Sequence, residues 1–144
     1  MRRVLLLALL STGALGLAND APSGPVFETS LDYAQVEFVA VEVRPDGTLR
    51  VDVTVRHADD GWDHYADAWQ LVDVETGEVL AERELLHPHV NEQPFTRSLS
   101  GVRLPEGTTS FVVRARCQVH GFGGREVRVD LATTEGEGYV VRRP

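Results

Sequence analysis

The chain has 144 residues, and its 22 acidic against 14 basic residues give it a formal net charge of −8 at pH 7. This charge argues against a nucleic-acid partner, because phosphate binding needs clustered basic side chains. The length suits one domain, and the single cysteine, Cys117, excludes an intramolecular disulfide. Stability therefore has to come from the burial of apolar side chains.

The first part of the chain, residues 1–18, predicts a cleaved signal peptide. Arg2 and Arg3 precede an apolar run from Val4 to Leu10, and a small-residue cleavage site ends at Ala18. The apolar run is too short to span a bilayer, and no cysteine stands at the cleavage site for lipid attachment. We therefore expect a periplasmic or secreted protein without a membrane anchor. Its charge after removal of the two arginines is about −10.

Alternation of apolar and polar residues predicts an all-β domain. From Leu49 to Val55 every second residue is apolar, a period of two that fits a half-buried strand. No segment of comparable length has a helical period. The pattern predicts seven strands, at residues 33–43, 48–57, 66–75, 79–86, 96–104, 109–119 and 125–131.

The connections between these strands are of two kinds, which alternate along the chain. Three are short turns that contain glycine, and three are longer loops with aromatic and titratable side chains, at residues 57–65, 87–95 and 120–124. If successive strands are antiparallel, all the long loops meet at one end, which we call the loop end. This arrangement predicts an immunoglobulin-like antiparallel β-sandwich of about seven strands for residues 31–131. We prefer it to an up-and-down barrel, which would have the same two ends.

Two segments flank this domain. Residues 19–30 are rich in proline, glycine and small polar residues, and they predict a linker or leader strand. Residues 132–144 are rich in glycine and glutamate around one short apolar run, and they predict a C-terminal tail or an edge strand. The sequence contains no internal repeat and no sign of a second domain.

All five histidines fall in or next to the three long loops. Neutral imidazole is a common ligand of zinc and copper, and separate loops can assemble a site that no single loop could hold. In His87-Pro88-His89 the two rings are two positions apart in an extended segment, so they point to the same side. We therefore predict a site for a divalent transition metal, zinc or copper, whose ligands are His64, His87, His89 and His120.

Other residues at the loop end are predicted to support this site or to bind a partner. His57 ends the second predicted strand, and we expect it to support the ligands rather than to coordinate the ion. Carboxylates near histidine ligands commonly orient the rings. The remaining residues in this predicted group are Asp63, Glu92, Arg97 and Trp62.

The same loops leave other interpretations open. Residues 57–64 contain three carboxylates and a glycine, as calcium loops do, but they lack the full twelve-residue calcium pattern. The loop aromatics predict either a lid over the core or an exposed recognition patch. Cys117 alternates with apolar residues, which favours a core cysteine over a thiolate ligand. The alternative function is a metal-free module that uses these loops to bind a protein partner in the periplasm.

The sequence contains no motif of a known enzyme class. It lacks a nucleophile elbow, a phosphate-binding glycine loop and the helical zinc-protease pattern. We therefore expect a protein that is not an enzyme and has no catalytic residue. Hydrolysis by a metal-bound water is the one catalytic chemistry left open.

Three stretches of the sequence resemble an uncharacterised family of small exported bacterial β-sandwich proteins. They read GWDHYADAW at residues 61–69, LLHPHVNEQPFTR at residues 85–97 and VHGFGG at residues 119–124. The resemblance covers most of the mature domain. It implies an exported β-sandwich and carries over no activity.

Overall fold

The computed structural model describes residues 24–144, which form strands and turns but no helix. The predicted signal peptide, residues 1–18, and residues 19–23 of the predicted linker lie outside the described residues. Accordingly, no helix in the described part of the chain could cross a membrane. The nine strands are β1 Gln35–Val43, β2 Leu49–Arg56, β3 Ala66–Asp73, β4 Val79–Glu84, β5 Phe95–Val102, β6 Ser110–Cys117, β7 Val127–Asp130, β8 Glu135–Gly136 and β9 Tyr139–Arg142.

The strands pair in two sheets that form a sandwich. One sheet has the order β5-β2-β1-β9-β8, and the other has the order β4-β3-β6-β7. All neighbours are antiparallel except β1 and β9, which are parallel. Because β1, β2 and β5 share one sheet while β3, β6 and β7 share the other, the strands are sorted as in immunoglobulin-like domains. The predicted fold class is confirmed.

The alternating sequence pattern explains how the two sheets make one core. On β2 every second residue from Leu49 to Val55 is buried, and on β6 every second residue from Phe111 to Cys117 is buried. Trp69 of β3 is fully buried between the sheets. Burial of an aliphatic or aromatic side chain of this kind contributes about 1.5–3 kcal/mol. The apolar faces therefore hold the two layers together.

All seven predicted strands are present, and each boundary lies within two residues of its prediction. The C-terminal segment differs from expectation. β8 is a short edge strand, but β9 lies inside its sheet beside β1, with Tyr139 and Val141 buried. At the other terminus, residues 24–30 form no strand, although the Glu28 amide donates to the Gly123 carbonyl at 2.8 Å.

The two ends of the sandwich carry different connections. The short turns after β1, β3 and β5 contain Gly47, Gly77 and Gly107, whose positive φ values of 81°, 73° and 83° favour glycine. The longer loops after β2, β4 and β6 lie at the opposite end. All five histidines are in or next to these three loops, so the structure has the loop end that the sequence predicts.

Candidate metal centre

Three side chains with metal-binding atoms converge at the loop end. One ligand atom each of His57, His64 and Cys117 lies within 4.8 Å of the others. His57 follows β2, His64 precedes β3 and Cys117 ends β6. Because Ala66 pairs with Cys117 across β3 and β6, the sheet register brings His64 to the end of β6. The cluster therefore joins both sheets of the sandwich.

His120 adds a fourth ligand atom to this cluster. Its Nδ1 lies 3.3 Å from Nε2 of His64 and 3.4 Å from Sγ of Cys117. Reciprocal backbone hydrogen bonds between Cys117 and Gly121, at 2.8 and 2.9 Å, close the turn that carries it. Gly121 has a φ of 72°, which favours glycine at this turn. The turn folds His120 back over the thiol.

The separations of these atoms suit a small metal ion. A tetrahedral ion with bonds of about 2.0 Å to nitrogen and about 2.3 Å to sulfur holds its ligand atoms about 3.3 to 3.6 Å apart. The two contacts of His120 match this spacing. The separations among the ligand atoms of His57, His64 and Cys117 reach up to 4.8 Å, which exceeds this spacing, so these three side chains would have to move closer together to bind one ion.

A carboxylate orients the His57 ring, and a second carboxylate lies near the His64 ring. Nδ1 of His57 lies 2.6 Å from Oδ1 of Asp59, and both side chains are fully buried. Nδ1 of His64 lies 3.6 Å from Oδ2 of Asp60. A carboxylate on one ring nitrogen commonly leaves the other nitrogen to the metal. Nε2 of His57 lies 3.1 Å from the Asp32 carbonyl oxygen.

Asp59 is a buried carboxylate with three donors. His57, the Ala66 amide and the His89 amide hydrogen-bond to it, at 2.6, 3.0 and 2.6 Å. Burial raises the pKa of Asp59, but the hydrogen bonds from His57, His89 and Ala66 together outweigh burial and hold its pKa below the usual value. The carboxylate is therefore ionised at neutral pH. Its negative charge stands directly behind the His57 ring.

The cluster is closed on one side and open on the other. His57 and Cys117 are buried, His64 is half-buried and His120 is exposed beside the Tyr33 ring, at a centroid distance of 5.5 Å. Sites with an open position admit a water or another small ligand. A shallow cleft of about 510 Å³ lies elsewhere, along β7, and none of the cluster residues lines it.

The structure divides the predicted ligand set. His64 and His120 belong to the cluster, whereas His87 and His89 contact each other, at a ring centroid distance of 4.5 Å, and lie outside it. His57, predicted as a supporting residue, is one of the converging side chains. Cys117, interpreted as a core cysteine, is buried and also faces the cluster. The Cys-x-x-His spacing of Cys117 and His120 at the end of a strand could have indicated that this cysteine faces a histidine.

The other predicted residues lie around the loop end. Arg97 and Glu92 form an ion pair at 3.0 Å, while Asp63 is exposed. Trp62 is 65% exposed and meets Tyr65 edge to face, so it does not form the lid that sequence reasoning allowed. In the loop at residues 87–95, by contrast, the aromatic side chain of Phe95 is buried.

The predicted calcium alternative has no cluster of carboxylates to support it. In the described part of the chain, the one group of three or more metal-binding side chains whose ligand atoms converge consists of imidazole and thiol side chains. Asp59 turns inward to the Ala66 and His89 amides, and Asp60 is exposed. Oxygen-rich coordination, which calcium needs, is therefore not assembled by residues 57–64.

Comparison with known proteins gives one similar sequence and one similar structure. No family model matches the chain. A candidate lipoprotein of Halomicrobium mukohataei is 47% identical over 106 residues, which are 72% of this chain and 51% of that protein. The chain thus spans about half the length of this relative. Superoxide reductase (1Fe-SOR) from Giardia intestinalis superposes with a TM-score of 0.41 and 17% identity, over 67% of this chain and 99% of that chain. Similarity at that level does not imply a shared function.

Proposed function

We propose that this protein is an exported binding module that holds one divalent transition metal ion at its loop end. His57, His64, Cys117 and His120 are the ligands in this proposal. The observation that carries it is the convergence of His57, His64 and Cys117, whose ligand atoms lie within 4.8 Å of one another. His57 and His64 share the loop after β2, and the fold brings Cys117, at the end of β6, next to them.

The chemistry of the donors indicates which ions the site would take. Thiolate and imidazole bind zinc, copper and iron, whereas calcium and magnesium prefer oxygen ligands. The proposal therefore keeps zinc and copper, the two ions that the sequence predicts, and the test includes ferrous iron. Metal binding to a thiol and an imidazole also releases protons, so the affinity should rise with pH.

Support for a built site comes from the groups behind the ligands. Asp59 contacts Nδ1 of His57 at 2.6 Å, and the exposed Asp60 lies 3.6 Å from Nδ1 of His64. A carboxylate partner restricts the orientation of a ligand ring, and its loss commonly weakens metal binding 10-fold to 100-fold. A chance contact of three histidines and a cysteine would not require carboxylates at these positions.

Export is the second part of the proposal. The Halomicrobium mukohataei relative is named as a lipoprotein, and residues 1–18 of this chain predict a signal peptide. The name of the relative describes a protein that carries lipid, so the absence of a membrane anchor here stays a prediction. Fractionation of cells that express the full chain, with and without detergent, would test both points.

Elemental analysis tests the metal site directly. The full chain should be purified without chelator, and the metal-free protein should also be titrated with Zn²⁺, Cu²⁺, Fe²⁺ and Co²⁺. We expect about one tightly held ion per chain that is lost in His64→Gln and Cys117→Ser. Co²⁺ should give a thiolate charge-transfer band that Cys117→Ser removes. Gln118→Ala, an exposed neighbour of Cys117, is the matched control.

The proposed site is wrong if the parent protein retains no stoichiometric metal and Co²⁺ produces no thiolate band. Because His64 is only half-buried, its variant should fold even if the buried Cys117→Ser variant is unstable.

A metal-free protein-binding module is the second candidate function. It is favoured by exposed apolar side chains in or next to all three long loops: Trp62 is 65% exposed, Leu86 69% and Val119 59%. Apolar groups exposed together at one end of a domain commonly mark an interaction surface. For this function, Trp62→Ser and Leu86→Ser should abolish capture of a periplasmic partner and leave the metal content unchanged. Capture that persists in both variants would argue against it.

A further inference from the structure

His89 is a buried polar side chain whose hydrogen-bonding groups the fold leaves unpaired. Its side chain is only 2% exposed, and its ring stacks on Phe95 at a centroid distance of 3.8 Å and an angle of 9°. Within residues 24–144, neither Nδ1 nor Nε2 has a hydrogen-bond partner. Asp59 Oδ2 is 3.9 Å from His89 Nδ1, and it accepts a hydrogen bond from the His89 backbone amide instead. Unpaired buried polar groups are rare and costly.

A second imidazole lies against this ring. His87 is exposed, and its ring centroid is 4.5 Å from that of His89, with the two planes tilted by 55°. The intervening Pro88 restricts the backbone between them. Both His89 nitrogens are shielded from solvent, so an ion would reach the two rings together only after the exposed His87 ring moves aside.

A carboxylate lies in the same loop. The Glu92 amide donates to the His89 carbonyl at 3.2 Å, so the chain folds back towards the two rings. The Glu92 side chain is 58% exposed and pairs with Arg97. Its carboxylate accepts hydrogen bonds from the Arg97 guanidinium at 3.3 and 3.0 Å. The loop therefore supplies an oxygen donor as well as the two imidazoles.

The His89 ring is held in place by its stack on Phe95, while neither of its nitrogens has a hydrogen-bond partner in the described part of the chain. An imidazole binds a metal through such a nitrogen in its neutral form.

We propose that His87 and His89 form a second metal site, which binds one Zn²⁺ or Cu²⁺ ion with Glu92 or water completing its coordination. The site shares no ligand with the cluster of His57, His64, Cys117 and His120. It offers nitrogen and oxygen donors and no thiolate. Asp59 lies between the two sites, since its two oxygens contact His57 Nδ1 and the His89 amide.

Titration with Co²⁺ distinguishes the two sites, because only the first contains sulfur. The metal-free full chain would be dialysed to equilibrium against Co²⁺, with the bound metal and the thiolate charge-transfer band measured on the same samples. We expect two bound equivalents in the parent, of which one develops the band. His87→Ala should bind one equivalent and keep the full band. Leu86→Ala, an exposed neighbour in the same loop, should bind two.

The complementary variant separates failure of this site from failure of the first. Cys117→Ser should lose the band and keep the equivalent that His87→Ala removes. If that equivalent is present while the parent shows no band, the second site stands and the first is wrong. The second site is refuted if the parent binds a single equivalent with the full band, or if His87→Ala binds as much Co²⁺ as the parent. Because His87 is exposed, its replacement should not prevent folding.

Discussion

Replacement of Asp59 by alanine is the sharpest test of how the loop end is held together. The carboxylate accepts three hydrogen bonds, from the His57 ring and from the amides of Ala66 and His89. Its removal leaves two buried amides without acceptors, and each unsatisfied group costs about 1–3 kcal/mol. The expected loss in the free energy of unfolding is therefore about 4 kcal/mol. That is a large fraction of the roughly 5–15 kcal/mol that stabilises a typical domain.

The assay is urea or thermal denaturation of the metal-free protein in the presence of chelator, because a bound ion would add its own stabilisation. For a domain of this size, about 4 kcal/mol corresponds to a fall in Tm of about 10–20 °C. Asp59→Asn keeps one acceptor oxygen, so it should lose about half as much. Asp63→Ala, an exposed carboxylate of the same loop, serves as the control and should change little.

The same variants report on the metal site. Asp59→Asn removes the negative charge behind His57, and we expect metal affinity to fall about 10-fold to 100-fold. If Asp59→Ala stays within about 1 kcal/mol of the parent protein, the hydrogen bonds to this carboxylate do not stabilise the loop end as argued. Unchanged metal affinity in Asp59→Asn would show that His57 does not coordinate through Nε2.

Three further outcomes are expected. The pKa values of His89 and Asp59 are lowered from 6.5 and 3.8, so the unfolded chain takes up these protons first, and the free energy of unfolding should fall below about pH 6.5 and again below about pH 3.8. Urea denaturation across pH 3–8 measures this, and a flat profile would contradict it. Gly124→Ala should lower Tm markedly, since an added Cβ would lie 2.2 Å from the Ala34 carbonyl oxygen; an unchanged Tm would show that the backbone yields. Trp62→Ala should stay within about 0.5 kcal/mol of the parent in stability, because this side chain is 65% exposed; a larger loss would mean that the loop depends on it.

The sequence by itself determined the strands and the loop end. Alternation along β2 and β6 is a local pattern, because side chains of a strand point to opposite faces with a period of two. Glycines at Gly47, Gly77 and Gly107 are local as well, since each turn needs a positive φ at one residue. Long and short connections alternate along the chain, so antiparallel pairing alone places all five histidines at one end.

The tertiary structure decided which histidines meet. The register that pairs Ala66 with Cys117 places His64 beside the thiol, and no local sequence pattern predicts that register. An inward position on β6 looks the same in sequence whether the cysteine faces only apolar side chains or also His120. The parallel pairing of β9 with β1 depends on the path of the chain across the sandwich. Periodicity is a property of neighbours in sequence, whereas a site made from two loops depends on contacts between residues that are distant in sequence.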